Sequence, residues 1–207
     1  MTTAWSYSSI NTFKSCPKKY YHLRVARDVK DTGSAAMSYG NAVHKAAEQY
    51  IKEGTPIPPK FSFVEESLKV LKGIEGEKHC EIKLSLAKAD GDYYPTTYFA
   101  KDVWWRGIAD LLIVDEDKAY LIDYKTGKNA KYADTKQLDL LAGATFTYYP
   151  EVKTIKSALA YVVSNEFIQK EHTADMRKSY LTVFDDELER LEVAEETEVW
   201  NALDGPL

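Results

Sequence analysis

Apolar residues recur along this chain at two different periods, and the change from one to the other divides it. Residues 8–26 predict a helical region opened by Ser8 or Ser9 as cap and interrupted at Pro17, with Tyr20, Tyr21 and Leu23 as bulk. Over 41–52, just after Gly40, the positions Val43, Ala46, Ala47, Tyr50 and Ile51 fall at helical spacing. Gly54 and the prolines at 56, 58 and 59 end that run. Residues 61–72 carry Phe63, Val64, Leu68 and Leu71 as a further helix. From Lys78 the period becomes two: Cys80, Ile82, Leu84 and Leu86 alternate with Glu81, Lys83 and Ser85, the signature of a strand. Strands are also predicted over 98–105, 106–114 and 119–126, followed by a helix over 132–148 and a strand over 154–164. A heptad-like helix over 185–203 carries Leu188, Leu191, Val199 and Trp200. Strands with helices before, between and after them imply an α/β (α+β) sandwich with helices on both faces of a central sheet. The expected organisation is one domain over residues 1–207, with an N-terminal helical region 1–75 and a C-terminal helix 185–207. No internal repeat or low-complexity segment interrupts it.

The most informative stretch runs from Gly107 to Gly127. Two apolar segments, Gly107–Val114 and Ala119–Gly127, flank the polar turn Asp115-Glu116-Asp117-Lys118, which is the pattern of a β-hairpin. A turn centred on Glu116 and Asp117 sets Val114 opposite Ala119 and Leu112 opposite Leu121. The same register sets Asp110 opposite Asp123 on one side of the sheet, with Lys125 on the side of Asp123. Two carboxylates in that relation lie about 5 Å apart and destabilise a bare sheet. Their compensation is a proton, a Lys or Arg, or a divalent cation, and hard oxygen ligands favour Mg²⁺ or Mn²⁺ over zinc. The bland alternative places one or both aspartates at strand ends in water. With a cation bound, two carboxylates and a nearby lysine suit phosphodiester hydrolysis, Asp110 and Asp123 as ligands and Lys125 stabilising developing negative charge.

Composition adjusts this picture more than it decides it. Of 207 residues, 27 are Lys or Arg and 32 Asp or Glu, a net charge of −5 that argues against a histone-like nucleic-acid binder. The charge is unevenly spread. Residues 1–30 hold six basic side chains and one acidic, whereas residues 185–207 hold nine acidic and only Arg190. Electrostatic attraction for an anion is therefore expected at the basic end. Lys18, Lys19 and Arg24, interleaved with Tyr20, make a candidate DNA-binding segment, or else the wet face of an ordinary amphipathic helix. Lys128, after the second hairpin strand, extends the candidate track. The two cysteines, Cys16 and Cys80, show no metal-type spacing and no secretory framework. No apolar run approaches the roughly 18–20 residues that span a bilayer. These features predict a cytoplasmic protein without membrane contact.

The motifs, taken in order, resemble those of the PD-(D/E)xK nuclease superfamily, in its RecB-like branch of phage exonucleases and CRISPR-associated adaptation nucleases. Ser8-Ser9-Ile10 with Cys16-Pro17-Lys18-Lys19-Tyr20 resembles the branch's N-terminal segment. Gly40-Asn41-Ala42-Val43-His44 resembles its G-x-x-x-H helix, Gly107-Ile108-Ala109-Asp110 its G-x-x-D element, and Asp123-Tyr124-Lys125-Thr126-Gly127 its D-Y-K-T-G element. Gln137-Leu138 stands where the branch places Q-L on the following helix. The resemblance covers most of the chain and implies a restriction-endonuclease-like core around a central mixed sheet. It implies His44, Asp110, Asp123 and the backbone carbonyl of Tyr124 as ligands of one or two Mg²⁺ or Mn²⁺ ions, and Lys125 as catalytic. Gln137, Glu48 and Glu81 are supporting candidates. Glu48, one turn from His44, either orients it or pairs with a surface lysine.

Two departures from the branch's pattern stand out. Cys16 occupies the first iron–sulfur position of many relatives, but residues 185–207 contain no cysteine, so no such cluster is expected in this chain. The tyrosine that follows the glutamine by four positions is Leu141 here. The expected activity is metal-dependent hydrolysis of DNA, single-stranded or at duplex ends, by an exonuclease of recombination, repair or phage replication, with a recombination or replication protein as further partner. The alternative is a catalytically silent nuclease fold that binds DNA or protein.

Overall fold

A computed structural model describes residues 4–127, 130, 131 and 133–203; the expected contact of Lys128 and the predicted helix start at Tyr132 lie outside them. Six strands form one sheet in the order β2-β1-β3-β4-β5-β6, where β1 is Glu77–Ala89, β2 Asp92–Pro95, β3 Trp105–Asp115, β4 Lys118–Lys125, β5 Thr154–Tyr161 and β6 Glu166–Thr173. Every pairing is antiparallel except β4 with β5. That parallel pair requires a crossover, which the helix Lys136–Tyr148 supplies. The sheet is mixed and flanked by helices, as an α/β restriction-endonuclease-like core requires.

The helices are α1 (Tyr7–Ser15), α2 (Pro17–Tyr20), α3 (Ala35–Glu53), α4 (Glu65–Gly73), α5 (Lys136–Tyr148), α6 (Arg177–Leu181) and α7 (Asp185–Thr197). They cover both faces. Val43, Ala46, Ala47 and Ile51 of α3 and Leu68 and Leu71 of α4 pack on Leu111, Ile113 and Ile122 on one side. Ile10 and Phe13 of α1, Leu138 and Leu141 of α5, and Leu188 and Leu191 of α7 pack on Leu112, Leu121 and Leu159 on the other. Nine consecutive residues of α5, Leu138 to Phe146, are buried, so this helix lies inside the molecule rather than on it.

Several boundaries differ from those the sequence predicts, each for a local reason. The cap of α1 is Ser6, whose hydroxyl accepts the Ser9 amide while the Ser9 hydroxyl accepts the Ser6 amide. Pro17 starts α2 rather than breaking a helix, with the Cys16 sulfur as its cap, and the chain then widens into a π-helix over Tyr21–Val25. Helix α3 begins six residues before Asn41 because the Ser34 hydroxyl caps it at the Met37 amide. Residues 98–104 form turns, not a strand. Tyr98 instead lies over the cationic ends of Lys83 and Arg106. Strand β5 ends at Tyr161, and the charged edge strand β6 has too little apolar alternation to predict. Helix α7 stops at Thr197, and Trp200 folds back to stack on Tyr20.

Strand β6 is fastened to α5 through one buried carboxylate. Asp139 accepts a 2.9 Å hydrogen bond from His172 Nε2 and contacts Lys170 Nζ at 2.6 Å. Burial raises the proton affinity of Asp139, but its hydrogen bonds to His172 and Lys170 outweigh this and hold it below the usual carboxylate range. A carboxylate held low contributes stability above its unfolded pKa and loses it as pH falls through the folded one. Asp139→Asn is therefore expected to cost about 3 kcal/mol in urea unfolding near pH 7. That difference should shrink below pH 4, and a pH-independent difference would contradict this account.

Candidate active site

The predicted hairpin register is observed from Asp115–Lys118 through Val114–Ala119 and Leu112–Leu121 to Leu111–Ile122. There the ladder ends. In place of a further backbone pair, the Asp110 carboxylate accepts the Tyr124 amide at 2.6 Å. Beyond this fork the strand edge near Trp105 is bridged by Trp5, whose amide donates to the Trp104 carbonyl and whose carbonyl accepts the Arg106 amide.

The fork coincides with an inversion of side-chain direction in two neighbouring strands. On β3, Ala109 packs in the same core as Leu112 although the two differ in parity, while Leu111 and Ile113 lie in the opposite core. On β1, Ile82, Leu84 and Leu86 pack towards the α5 side and Cys80 towards the α3 side. This departs from the single alternating face predicted for Cys80 to Leu86. The residue between the two arrangements on β1 is Glu81, with φ of 53° inside a strand. A non-glycine residue in that region costs roughly 1–2 kcal/mol. The strain turns Glu81 towards Asp110, its neighbour across the β1–β3 ladder.

Helix α3 brings the third member. His44 Nδ1 lies 3.0 Å from Asp110 Oδ1, and the His44 ring stands edge-on to Tyr124 with centroids 5.8 Å apart. Gly40, one turn earlier, explains how the helix comes so near: a Cβ there would stand 3.2 Å from Thr126 Oγ1, tighter than ordinary packing. Gly107 likewise leaves room for the Trp105 ring, which a Cβ would meet at 2.6 Å. The ligating atoms of His44, Glu81 and Asp110 all lie within 4.8 Å of one another.

Asp123 and Lys125 face α5 and meet Gln137. Asp123 Oδ1 accepts from Gln137 Nε2 at 2.6 Å, Lys125 Nζ donates to Gln137 Oε1 at 2.8 Å, and Lys125 Nζ lies 2.6 Å from Asp123 Oδ2. Oδ2 is buried, and the Lys125 ammonium is its partner. Burial pushes the proton affinity of Asp123 above its ordinary range, with Asp110 adding to the effect and Lys125 opposing it. Burial and Asp110 push Glu81 the same way. For His44, burial favours the neutral ring, but the hydrogen bond and charge of Asp110 outweigh it, and its pKa rises. All three shifts report a pocket with more negative charge than its burial tolerates. The oxygen-rich donor set around His44 fits a hard divalent cation.

The other sequence candidates fall further away or elsewhere. Glu48 pairs with Lys45 at 2.9 Å on the surface of α3, the bland one of its two expected fates. Tyr20 is buried against Phe13 and Trp200, so its ring cannot stack a base. Lys18 and Lys19 are exposed on α2, and Arg24 is exposed on the π-helix. Leu141 is core. Glu81 was legible only as a minor candidate, since nothing in the alternation marks where a strand inverts.

A fork of strands holding paired acids, a lysine and a glutamine from the crossover helix is the site layout of a nuclease fold. The match to the PD-(D/E)XK nuclease superfamily extends over residues 4–203, and the chain belongs to that superfamily. Its fold is similar to the crystal structure of a "Putative exonuclease" from Eubacterium rectale, with TM-score 0.55 and 14% identity over 99% of this chain and 90% of that one. It is also similar to that of SSO0001, with TM-score 0.50 and 13% identity over 90% of this chain and 76% of that one. No curated protein sequence matches it significantly. Among the described residues no helix is long and apolar enough to cross a membrane.

If these residues form one cation site, His44→Ala and Glu81→Gln should each weaken Mn²⁺ binding about tenfold or more in calorimetry. Glu48→Gln should leave it within about twofold. Equal losses from all three would contradict the assignment.

Proposed function

We propose that this protein is a divalent-cation-dependent deoxyribonuclease of the RecB-like branch, acting on DNA ends as an exonuclease in recombination, repair or phage replication. The observation that carries the reading is the convergence of His44, Glu81 and Asp110 within 4.8 Å at one strand fork, beside a buried Asp123 held by Lys125 and Gln137. Asp110 and Asp123, with His44, Glu81 and the Tyr124 carbonyl, would hold Mg²⁺ or Mn²⁺. The bound cation would polarise the scissile phosphate and lower the pKa of a water.

The chain's own residues do the positioning. Asp110 fixes the Tyr124 amide and so the turn of backbone that carries Asp123 and Lys125. Gln137 holds Asp123 and Lys125 by one amide each way, fixing both side chains in a single arrangement. The Lys125 ammonium then stands where negative charge develops on the phosphoryl oxygens, and being preorganised it needs no rearrangement to act. A cytoplasmic setting, and a replication or recombination protein as partner, accord with this role.

Labelled linear and circular DNA incubated with Mg²⁺ or Mn²⁺ tests the proposal. Linear DNA should be degraded and circular DNA spared, with activity lost in EDTA. Asp123→Ala and Lys125→Ala should each lower the rate by about a thousandfold. Activity surviving in both variants would sink the mechanism, and metal-independent DNA binding without cleavage would establish the silent fold instead.

A further inference from the structure

Two cavities, each of about 260 Å³, lie side by side around Arg106. The first reaches the active-site glutamine, Gln137, and includes Ser6, Tyr98 and Arg106 in its wall. The second shares Ser6 and Arg106 with it and is closed by Ser9, Tyr20, Arg24 and Arg27. Three arginines, Arg24, Arg27 and Arg106, thus line one small cavity whose described wall contains no carboxylate. Arg27 Nε donates to the Arg24 carbonyl at 3.2 Å, which holds the two arginines side by side. Arg106 Nε is buried and has no acceptor. The chamber also stands at the start of α1, with its cap residue Ser6 in the wall, where the helix dipole favours an anion.

We infer that this chamber binds the terminal phosphate monoester of a DNA strand whose backbone continues past Arg106 towards Gln137, an inference that rests on the nuclease reading. Charge selects the monoester. A diester carries one negative charge, a terminal monoester about 1.5–2 at neutral pH, and three arginines around one cavity match the higher value. Planar guanidiniums suit phosphate oxygens better than ammonium groups do, which fits the absence of lysine from the wall. The π-helix explains how Arg24 reaches it, since its wider turn carries Leu23 and Arg24 to the wall beside Ser6 and Ser9. A seat for the end of a strand next to the cleavage centre is a device that restricts attack to termini.

The test is fluorescence anisotropy in EDTA, where no cleavage occurs, with internally labelled single strands ending in 5′-phosphate, 3′-phosphate or hydroxyl at both ends. One phosphorylated strand should bind about tenfold or more tightly than the hydroxyl strand, and which one it is sets the polarity. The Arg24→Gln/Arg27→Gln double variant, and separately Arg106→Gln, should abolish that preference while Mn²⁺ affinity, read by calorimetry, stays unchanged as the sign of an intact fold. Equal binding of all three strands by the unaltered protein would overturn the inference, as would a preference that survives the double variant. The two readings fail separately. End preference without cleavage in metal would remove the nuclease and leave the phosphate seat, while cleavage without end preference would do the reverse.

Discussion

Everything about this site follows from the repulsion between carboxylates held on neighbouring strands in a dry interior. Glu81, Asp110 and Asp123 stand on three adjacent strands, and burial raises the proton affinity of the first and last. Such an arrangement persists only where the surrounding structure enforces it and where a cation repays it. The protein supplies part of that compensation itself through Lys125 beside Asp123 and His44 beside Asp110. The remainder, marked by the proton affinities of Glu81 and Asp123 that stay raised beside those partners, is the part a divalent ion would supply.

The backbone carries the cost of this arrangement. A regular antiparallel ladder alternates strictly, and continuing β1 and β3 without interruption would send acidic side chains to whichever core their parity dictated. The left-handed turn at Glu81 and the matching change at Asp110 release both residues from that rule in a single place. The strand fork lies there, and helix α3 approaches the end of β4 closely at Gly40.

Much of this was legible beforehand because it depends on periodicity and spacing. The register of β3 and β4 follows from where the polar turn falls between two apolar runs, but the expected Asp110–Asp123 pair on one side of the sheet does not form, because the ladder stops at Leu111–Ile122 and Asp110 turns to His44 of α3 while Asp123 meets Gln137 of α5. Gln137 was legible only through the motif resemblance, since a glutamine at the start of an apolar helix has no distinguishing pattern of its own. The inversion at Glu81 was not legible, because it is a property of two strands together. Nor was β6, whose apolar residues Phe167 and Ile168 are adjacent rather than alternating, and which is held by Asp139 of α5 through Lys170 and His172. Tyr20 misled for a related reason. A tyrosine among basic residues suggests base stacking, but Trp200, 180 positions later in the chain, covers its ring. The net charge of −5 was equally uninformative as an average, since part of it is the acid cluster itself and much of the rest lies in α7.

The central claim is that the carboxylates are tolerated because a cation belongs among them. Anomalous diffraction from crystals grown with Mn²⁺ tests it directly. The account predicts a manganese peak ligated by Asp110 and Asp123 together with His44 or Glu81. Fully occupied manganese elsewhere on the molecule, with no peak at the fork, would contradict it.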